Sequence, residues 1–440
     1  MNITFIMPSV GKSRKRKYIK SWSMEPLSIA YLSAMTPKEY KKNFFDDRLE
    51  DIDYNYPTDL VAITVETYTA KRSYEIAKVY RDKNIKVVMG GFHPTLCPDE
   101  AMEYSDAIVV GECEELWENI LNDFKNNSLR KIYKSEKRSD ITNLMPDRSI
   151  YNDKKYLGVA LVETGRGCPY YCDFCAIASF YKKSYAYRSI DSVVSEIKSL
   201  KSKTIFFVDD NFASNIKRAK ELLKALISLK IKWSGQISIN AANDDELLNL
   251  LQKSGCQMLL IGFESLNESN LKNMNKNVNI SNIDYPYLIS KFHNRGISIY
   301  ATFAFGYDGD TKETIRDTMN FAIKNKFFLC AINHVVPFPG TDLYNRLKSE
   351  NKLIYEKWWL TPNYSFGDVA FQPKNMTADE LKEICFKYRY GFYSFSSIIK
   401  RVDFKANLRG LYKAILYFFV NIFNGAQIKK RQGLRLGEKR

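Results

Sequence analysis

Three of the eight cysteines in this 440-residue chain fall within eight positions, in Gly167-Cys168-Pro169-Tyr170-Tyr171-Cys172-Asp173-Phe174-Cys175. The spacing is CxxxCxxC. A zinc knuckle or chance core cysteines could produce such a run, but a structural zinc site needs four protein ligands. No His and no fourth Cys lies nearby; the next are Cys113, Cys256 and His293. Three thiolates on a tight loop instead suit an iron–sulfur cube with one iron left open. An electron-transfer protein would close that iron with a fourth Cys. Cys256, Cys330 and Cys385 sit in apolar surroundings and read as small core hydrophobes.

The elements that must hold this loop read as alternating strand and helix. Residues 1–130 carry apolar runs of strand length at Ile3–Met7, Leu60–Val65, Ile85–Met89 and Ala107–Val110. Helical patterns at Glu25–Met35, Tyr68–Arg81 and Glu112–Phe124 separate them. This is the pattern of an α/β, doubly wound, Rossmann-like sheet. Ligands of such sheets sit at the carboxyl ends of the strands, where Thr64–Thr69 and Gly90–Thr95 fall. Residues 131–156 are polar, contain Pro146 and read as a linker. Six further strand candidates follow, at Leu157–Thr164, Thr204–Val208, Lys232–Ile239, Gln257–Gly262, Ser298–Phe305 and Ala331–Val336. Six βα units over 157–345 predict an open, partial barrel. An aromatic-rich region (346–403) and a basic amphipathic tail (404–440) complete the chain as a helical extension.

The cysteine motif after the first barrel strand, with Phe174 as its aromatic, resembles that of the radical S-adenosylmethionine enzymes. That resemblance implies that Cys168, Cys172 and Cys175 hold a 4Fe-4S cluster. S-adenosylmethionine would chelate the fourth iron and be cleaved to a 5′-deoxyadenosyl radical. Binding and orientation are then the protein's part and the hard chemistry is the cofactors'. In this family the second strand ends in groups for the methionine amine, so Asp209 or Asp210 is apt; the usual Gly-Gly-Glu is absent and the choice between them stays open. Gln236 ends the third strand. Glu264 and Ser265 end the fourth, where Glu264 could accept from ribose hydroxyls. Each acid could equally be a helix N-cap. Phe305-Gly306-Tyr307-Asp308 and Pro337–Thr341 resemble family loops that wall the substrate cavity. An external electron donor such as a flavodoxin or ferredoxin is implied.

Val87–Thr95 and Asp106–Glu112 resemble the cobalamin-binding domain fused ahead of many of these enzymes. Gly90 and Gly91 would let backbone approach the corrin closely. Thr64, Val65, Glu66 and Thr67 would line the corrin or its nucleotide tail, with Gly111 and Glu112 at the next strand end. The DxHxxG motif is absent, so His93 reads as a turn or core His rather than a cobalt ligand. His334 reads as a buried His with a proton-handling role as its alternative. Trp358, Trp359 and Tyr364 could shape a substrate pocket or pack as core aromatics. The resemblance spans about residues 1–345 and implies methyl transfer to an unactivated carbon or to phosphorus. Ring formation and radical rearrangement, or RNA modification, are its rivals.

The composition is that of a folded chain, 45% hydrophobic and 26% charged. The opening residues lack the order of a secretory signal, so a cytosolic protein with reduced thiols is expected. Of the net charge of +16, Lys400–Arg440 holds +9, eleven Lys and Arg against Asp403 and Glu438. In this tail Phe404, Leu408, Leu411, Ile415, Phe419 and Ile422 recur at helical spacing, with Lys405, Arg409 and Lys413 on another face. A basic amphipathic helix can lie in a membrane interface and bring a lipid-like substrate within reach. The same helix could instead dock on the barrel. Charge concentrated beside an apolar helix favours lipid over nucleic acid.

Overall fold

The computed structural model describes residues 1–11, 24–276, 279 and 283–437. The basic run at Lys12–Lys17 and the charges of Glu438, Lys439 and Arg440 lie outside them. The first sheet contains β1 (Asn2–Met7), β2 (Lys41–Asp46), β3 (Leu60–Thr64), β4 (Lys86–Gly90), β5 (Ala107–Val110) and β6 (Ile132–Lys134). All are parallel, in the order β2-β1-β3-β4-β5-β6. Both faces are buried: Leu60 and Ala62 pack with Ile29 and Trp117, while Val61 and Ile63 pack with Ile76 and Tyr80. This explains why the strands read as unbroken apolar runs rather than alternations. The strand order reverses between β1 and β3, which places the ligand crevice at the end of β3.

The second sheet is also wholly parallel. It contains β7 (Ala160–Val162), β10 (Thr204–Phe207), β11 (Lys232–Ile237), β12 (Cys256–Glu264), β13 (Ser298–Phe305) and β14 (Leu329–His334). These lie side by side in chain order, as a barrel of six βα units requires. Between β7 and β10 a hairpin of β8 (Gly165–Gly167) and β9 (Tyr185–Tyr187) carries the cysteine loop. Helices cover the outer face through Leu222, Leu248, Phe292 and Ile315, all buried. Their starts are set by caps: Thr311 and Thr377 close capping boxes, and Asp244 accepts from the Leu247 N–H.

Several expectations need correction. β2 had no strand signal because Lys41-Lys42-Asn43 opens it at the sheet edge. The segment 131–156 is not a bare linker. It contains the edge strand β6, and it returns to the first sheet through Asp147, which accepts from Ser33 Oγ at 2.7 Å and Lys42 Nζ at 2.8 Å. Of the two readings of Trp358, Trp359 and Tyr364, the structure matches core packing: all three are buried in the core beneath the first sheet.

Over residues 404–437 the structure matches the docked alternative. Its helix, Leu411–Arg431, is docked on the barrel by Tyr417, Asn421 and Lys413. Lys413 leaves the expected basic row and buries its ammonium against the carbonyls of Gln257, Gly296 and Ala406 and the Ser298 hydroxyl, at 2.7–3.1 Å. Leu408 likewise turns inward. Beyond the helix, Leu436 enters the core of the first domain and the Gly437 N–H donates to Val10 O. Among the described residues no helix is long and apolar enough to cross a membrane.

Arg401 ties these pieces together. It is fully buried and donates to the carbonyls of Phe327, Phe328 and Phe392 and to Asn421 Oδ1, at 2.8–3.1 Å. Arg401→Leu strands those acceptors and is expected to cost about 2–4 kcal/mol of tail docking. Limited proteolysis should then cut after residue 400 far faster than in the parent.

Candidate active site

The cysteine loop is held from three sides. Gly167, just before it, has φ +98°, and a Cβ there would lie 2.1 Å from Ser184 O; glycine is required. Asp173 anchors the middle: its N–H donates to Met274 O, its carbonyl accepts from the Leu343 N–H, and its carboxylate accepts from Tyr307 OH at 2.5 Å. Asn275 Nδ2 donates to Tyr171 O at 2.8 Å. Cys175 is the N-cap residue of Ala176–Tyr181, and Phe174 packs against the barrel core.

Burial raises the pKa of all three thiols, that of Cys172 to about 12, and the Lys276 ammonium beside Cys172 and Cys175 opposes this. Lys276 Nζ is 3.2 Å from Glu264 Oε1. Among the described residues no three His, Cys, Asp or Glu side chains gather round a point fit for a single metal ion. A cube in which each thiolate binds its own iron asks for no such convergence.

The strand-end acids separate into two roles. Asp209 is buried and accepts from the Thr164 N–H at 2.7 Å and Oγ1 at 2.5 Å. It pins β10 to the end of β7. Asp210 accepts from the Gly167 N–H at 2.7 Å, directly beneath Cys168. Burial pushes their carboxyls up to about 7 and about 6 respectively. Gln236 is exposed between buried Gly235 and Ile237, so it points to the barrel's inner face. Glu264 has φ +61°, unusual for a residue with a Cβ, at a register shift between β12 and β13. This turns its carboxylate back over Gly262, toward Lys276 and the cysteine loop. Ser265 is buried and its Oγ accepts from the Asn267 N–H, a local turn contact.

A cavity of about 290 Å³ lies at the carboxyl ends of β3, β4 and β5. Thr64, Val65, Glu66, Gly90, Gly91, Gly111 and Glu112 line it, and Glu163, Arg166 and Val208 of the barrel close its far side. Thr67 is not among the lining residues; its hydroxyl lies 3.4 Å from His93 Nδ1. The two glycines differ. Gly91 has φ +111° and its Cβ would strike Val65 O at 2.8 Å, so its need is conformational. Gly90 has room for a Cβ, 3.5 Å from Val109, and borders the cavity. Burial raises the Glu66 carboxyl. Glu112 is committed to the protein itself, since Arg138 at 2.7 Å, Arg166 at 3.2 Å and the Ser139 N–H hold its carboxyl low despite burial. His93 is a core His, fully buried with Nε2 3.0 Å from Tyr74 OH and 3.1 Å from Glu100. His334 is buried between the carbonyls of Val335 and Gly367.

Sequence reasoning missed Arg166, Glu163 and Lys276. Arg166 stood one residue before the motif glycine and could have been noticed there. Lys276 lay in an asparagine-rich stretch without a signal.

A parallel open barrel with three cysteines at the end of its first strand, joined at its mouth to a doubly wound domain, defines the class. The Radical SAM superfamily model matches residues 162–322. The bacteriochlorophyllide d C-12(1)-methyltransferase of Chlorobaculum tepidum is 31% identical over 86% of this chain and 85% of its own. The chain belongs to the radical S-adenosylmethionine superfamily, enzymes that use a 4Fe-4S cluster and S-adenosylmethionine. Two solved structures share the architecture. The cobalamin-dependent radical enzyme OxsB matches 97% of this chain and 72% of its own, with TM-score 0.72 and 15% identity. The methyltransferase TsrM of Kitasatospora setae matches 98% and 99%, with TM-score 0.65 and 16% identity.

Asp209 yields a test of the strand-end geometry. The unfolded chain releases this proton near 3.8, whereas the folded chain holds it to about 7. The unfolded state therefore binds fewer protons in that window, and stability falls as pH rises from about 4 to 7. Asp209→Asn keeps an acceptor for the Thr164 N–H and removes the titration. Urea midpoints measured from pH 5 to 8 should fall less with pH in the variant than in the parent.

Proposed function

We propose that this chain is a cobalamin-dependent methyltransferase acting on an unactivated carbon, or phosphorus, of a small or lipid-like molecule. The observation that carries the reading is the shared cavity. Its floor is the ligand crevice of the doubly wound sheet, and its wall includes Glu163 and Arg166, the latter two residues before Cys168. A methyl carrier in the crevice and a radical source on the cysteine loop would face one space. The relative from Chlorobaculum tepidum, a methyltransferase for a bacteriochlorophyllide over most of the same length, supports it.

When bound, the cluster with S-adenosylmethionine supplies the substrate radical, and cobalamin supplies the methyl group. The donor set fits both. Three thiols stand free of disulfides, and the glycine-edged, largely apolar crevice can take the face of a flat macrocycle. Cys168, Cys172 and Cys175 would hold the cluster. Asp210 and Glu264 would accept from the ammonium and ribose of S-adenosylmethionine, with Gln236 on the inner face between them and the substrate. Asp209 would act behind them by fixing β7. Thr64, Val65, Glu66, Gly90 and Gly111 would line the corrin, while His93 is held in the core by Tyr74 and Glu100.

The test is anaerobic reconstitution with hydroxocobalamin, S-adenosylmethionine and reductant. One corrin per chain is expected, with both 5′-deoxyadenosine and S-adenosylhomocysteine formed. Gly90→Leu should exclude the corrin and keep the ~400 nm cluster absorbance. Deoxyadenosine without S-adenosylhomocysteine would turn the reading toward ring formation or rearrangement.

The same reading includes peripheral contact with a membrane. The docked C-terminal helix presents an outer row of Leu411, Ile415, Phe419 and Ile422, at 78%, 61%, 65% and 61% exposure, beside Phe395 and Phe404 at 76% and 79%. Lys400, Lys405, Lys429 and Lys430 are exposed around this patch. Each large side chain buried in an interface contributes about 1.5–3 kcal/mol, and each basic residue near anionic lipid about 1 kcal/mol. Removing the whole tail would open the core that Tyr417 and Leu436 complete, so point changes are the cleaner test. Replacing Phe404, Leu411, Ile415, Phe419 and Ile422 by Ser should abolish co-sedimentation with phosphatidylserine-containing vesicles at low salt. Absence of sedimentation in the parent rejects the membrane, and a concentration-dependent dimer would show that a second copy covers the patch.

A further inference from the structure

A second cavity, of about 350 Å³, lies against β13 and β14. Tyr300 and Asn333 of those strands line it, Arg389 from helix Ala378–Phe392 and Arg431 from the C-terminal helix flank it, and Tyr68 of the first domain closes one end. Its lining holds two guanidinium groups and no Asp or Glu. The partners of Arg389 are neutral: Asn333 Oδ1 at 2.9 Å and Gln432 Oε1 at a long 3.3 Å. Its Nε is buried without a hydrogen-bond partner. The acid closest in sequence to the lining, Asp368, is taken by Lys382 at 2.6 Å and the Ser365 N–H at 2.7 Å. Burial depresses the pKa of both guanidiniums, that of Arg431 to about 10.

A desolvated cation whose partners are all neutral, as at Arg389, is costly, and a planar fork of donors matches a carboxylate's two oxygens. Apolar and aromatic groups, including Val336, Phe366 and Ile428, make up much of the remaining lining, together with His334 and the amides of Asn424, Gln427 and Gln432. We propose that this cavity binds the carboxylate of an otherwise apolar substrate, with Arg389 and Arg431 as its binding residues. The inference rests on the methyltransferase reading and narrows its substrate class. Tyr68 follows Thr64, Val65 and Glu66, which line the crevice of the first domain.

The experiment uses the full-length reconstituted protein with cis-parinaric acid and its methyl ester as fluorescent probes. The acid should bind at least about tenfold tighter than the ester, as expected for a charge-assisted bidentate contact. Arg389→Met together with Arg431→Met should erase the preference while leaving ester affinity unchanged. Equal binding of acid and ester, no binding of either, or a preference that survives the double change overturns the proposal. Should the double variant lose its cluster absorbance, Arg431→Met alone decides: a preference reduced about threefold or more sustains the site, and an unchanged one overturns it. The methyl-transfer reading is judged separately, by S-adenosylhomocysteine formed by the parent enzyme.

Discussion

Arg166 is the residue on which the arrangement of the two domains at the active site turns. It is nearly buried and contacts Glu163 of its own domain at 2.7 Å and Glu114 and Glu112 of the other at 2.5 and 3.2 Å. Arg138 reinforces it, donating to Glu112, to Ser184 Oγ and to the Arg166 carbonyl. Two residues downstream is Cys168. The ion network that joins the domains is thus also the base of the cysteine loop, and the loop's place is fixed relative to the crevice rather than to the barrel alone. Loss of one partner from such a network leaves the others charged and buried, at a cost of about 3–5 kcal/mol. A buried network is a poor source of net stability but a strong source of geometry, and geometry is what the proposed pair of cofactors would require.

How much of this was legible in the sequence depends on the range over which each feature is encoded. The cysteine loop, the parallel strands of both sheets and the glycine-edged crevice are local patterns, and they were legible. The edge strands β2 and β6 were not, because three-residue or Lys-initiated strands at a sheet edge carry little apolar periodicity. Site roles were legible only as residue types. Asp209 and Asp210 could not be told apart from sequence, yet one accepts from Thr164 and the other from the residue before Cys168. Glu112 stands at a strand end as a corrin-lining residue would, but its carboxylate is directed by Arg138 and Arg166, and neither distance is visible in sequence.

The tail shows the same limit from the other side. Its helical spacing was evident, and so were two competing uses of it. The structure combines them: docking takes the stripe Lys413, Tyr417 and Asn421, and leaves outward most of the row that periodicity had marked as apolar. Lys413 looked like part of a basic face and is instead the docking pin, because a long aliphatic stem can carry an ammonium to a cluster of carbonyls.

An open barrel has an unpaired edge at its last strand, and that edge must be covered. Here β14 is covered by Ala378–Phe392, which is braced in turn by the C-terminal helix. The inward stripe of that helix continues through Asn424, Ile428 and Arg431, which line the cavity on β13 and β14. The outward row is the exposed apolar patch. One helix therefore has the proposed substrate cavity on one side and the proposed lipid-facing surface on the other, and its last two turns lie at the border between them. The apolar body of an amphipathic acid can leave a bilayer beside Phe419 and Ile422 while the carboxylate moves toward Arg431 and then Arg389, so the acid is never stranded in an apolar medium without a cation. The cover that the barrel edge demands would then also serve as the route by which such a substrate enters.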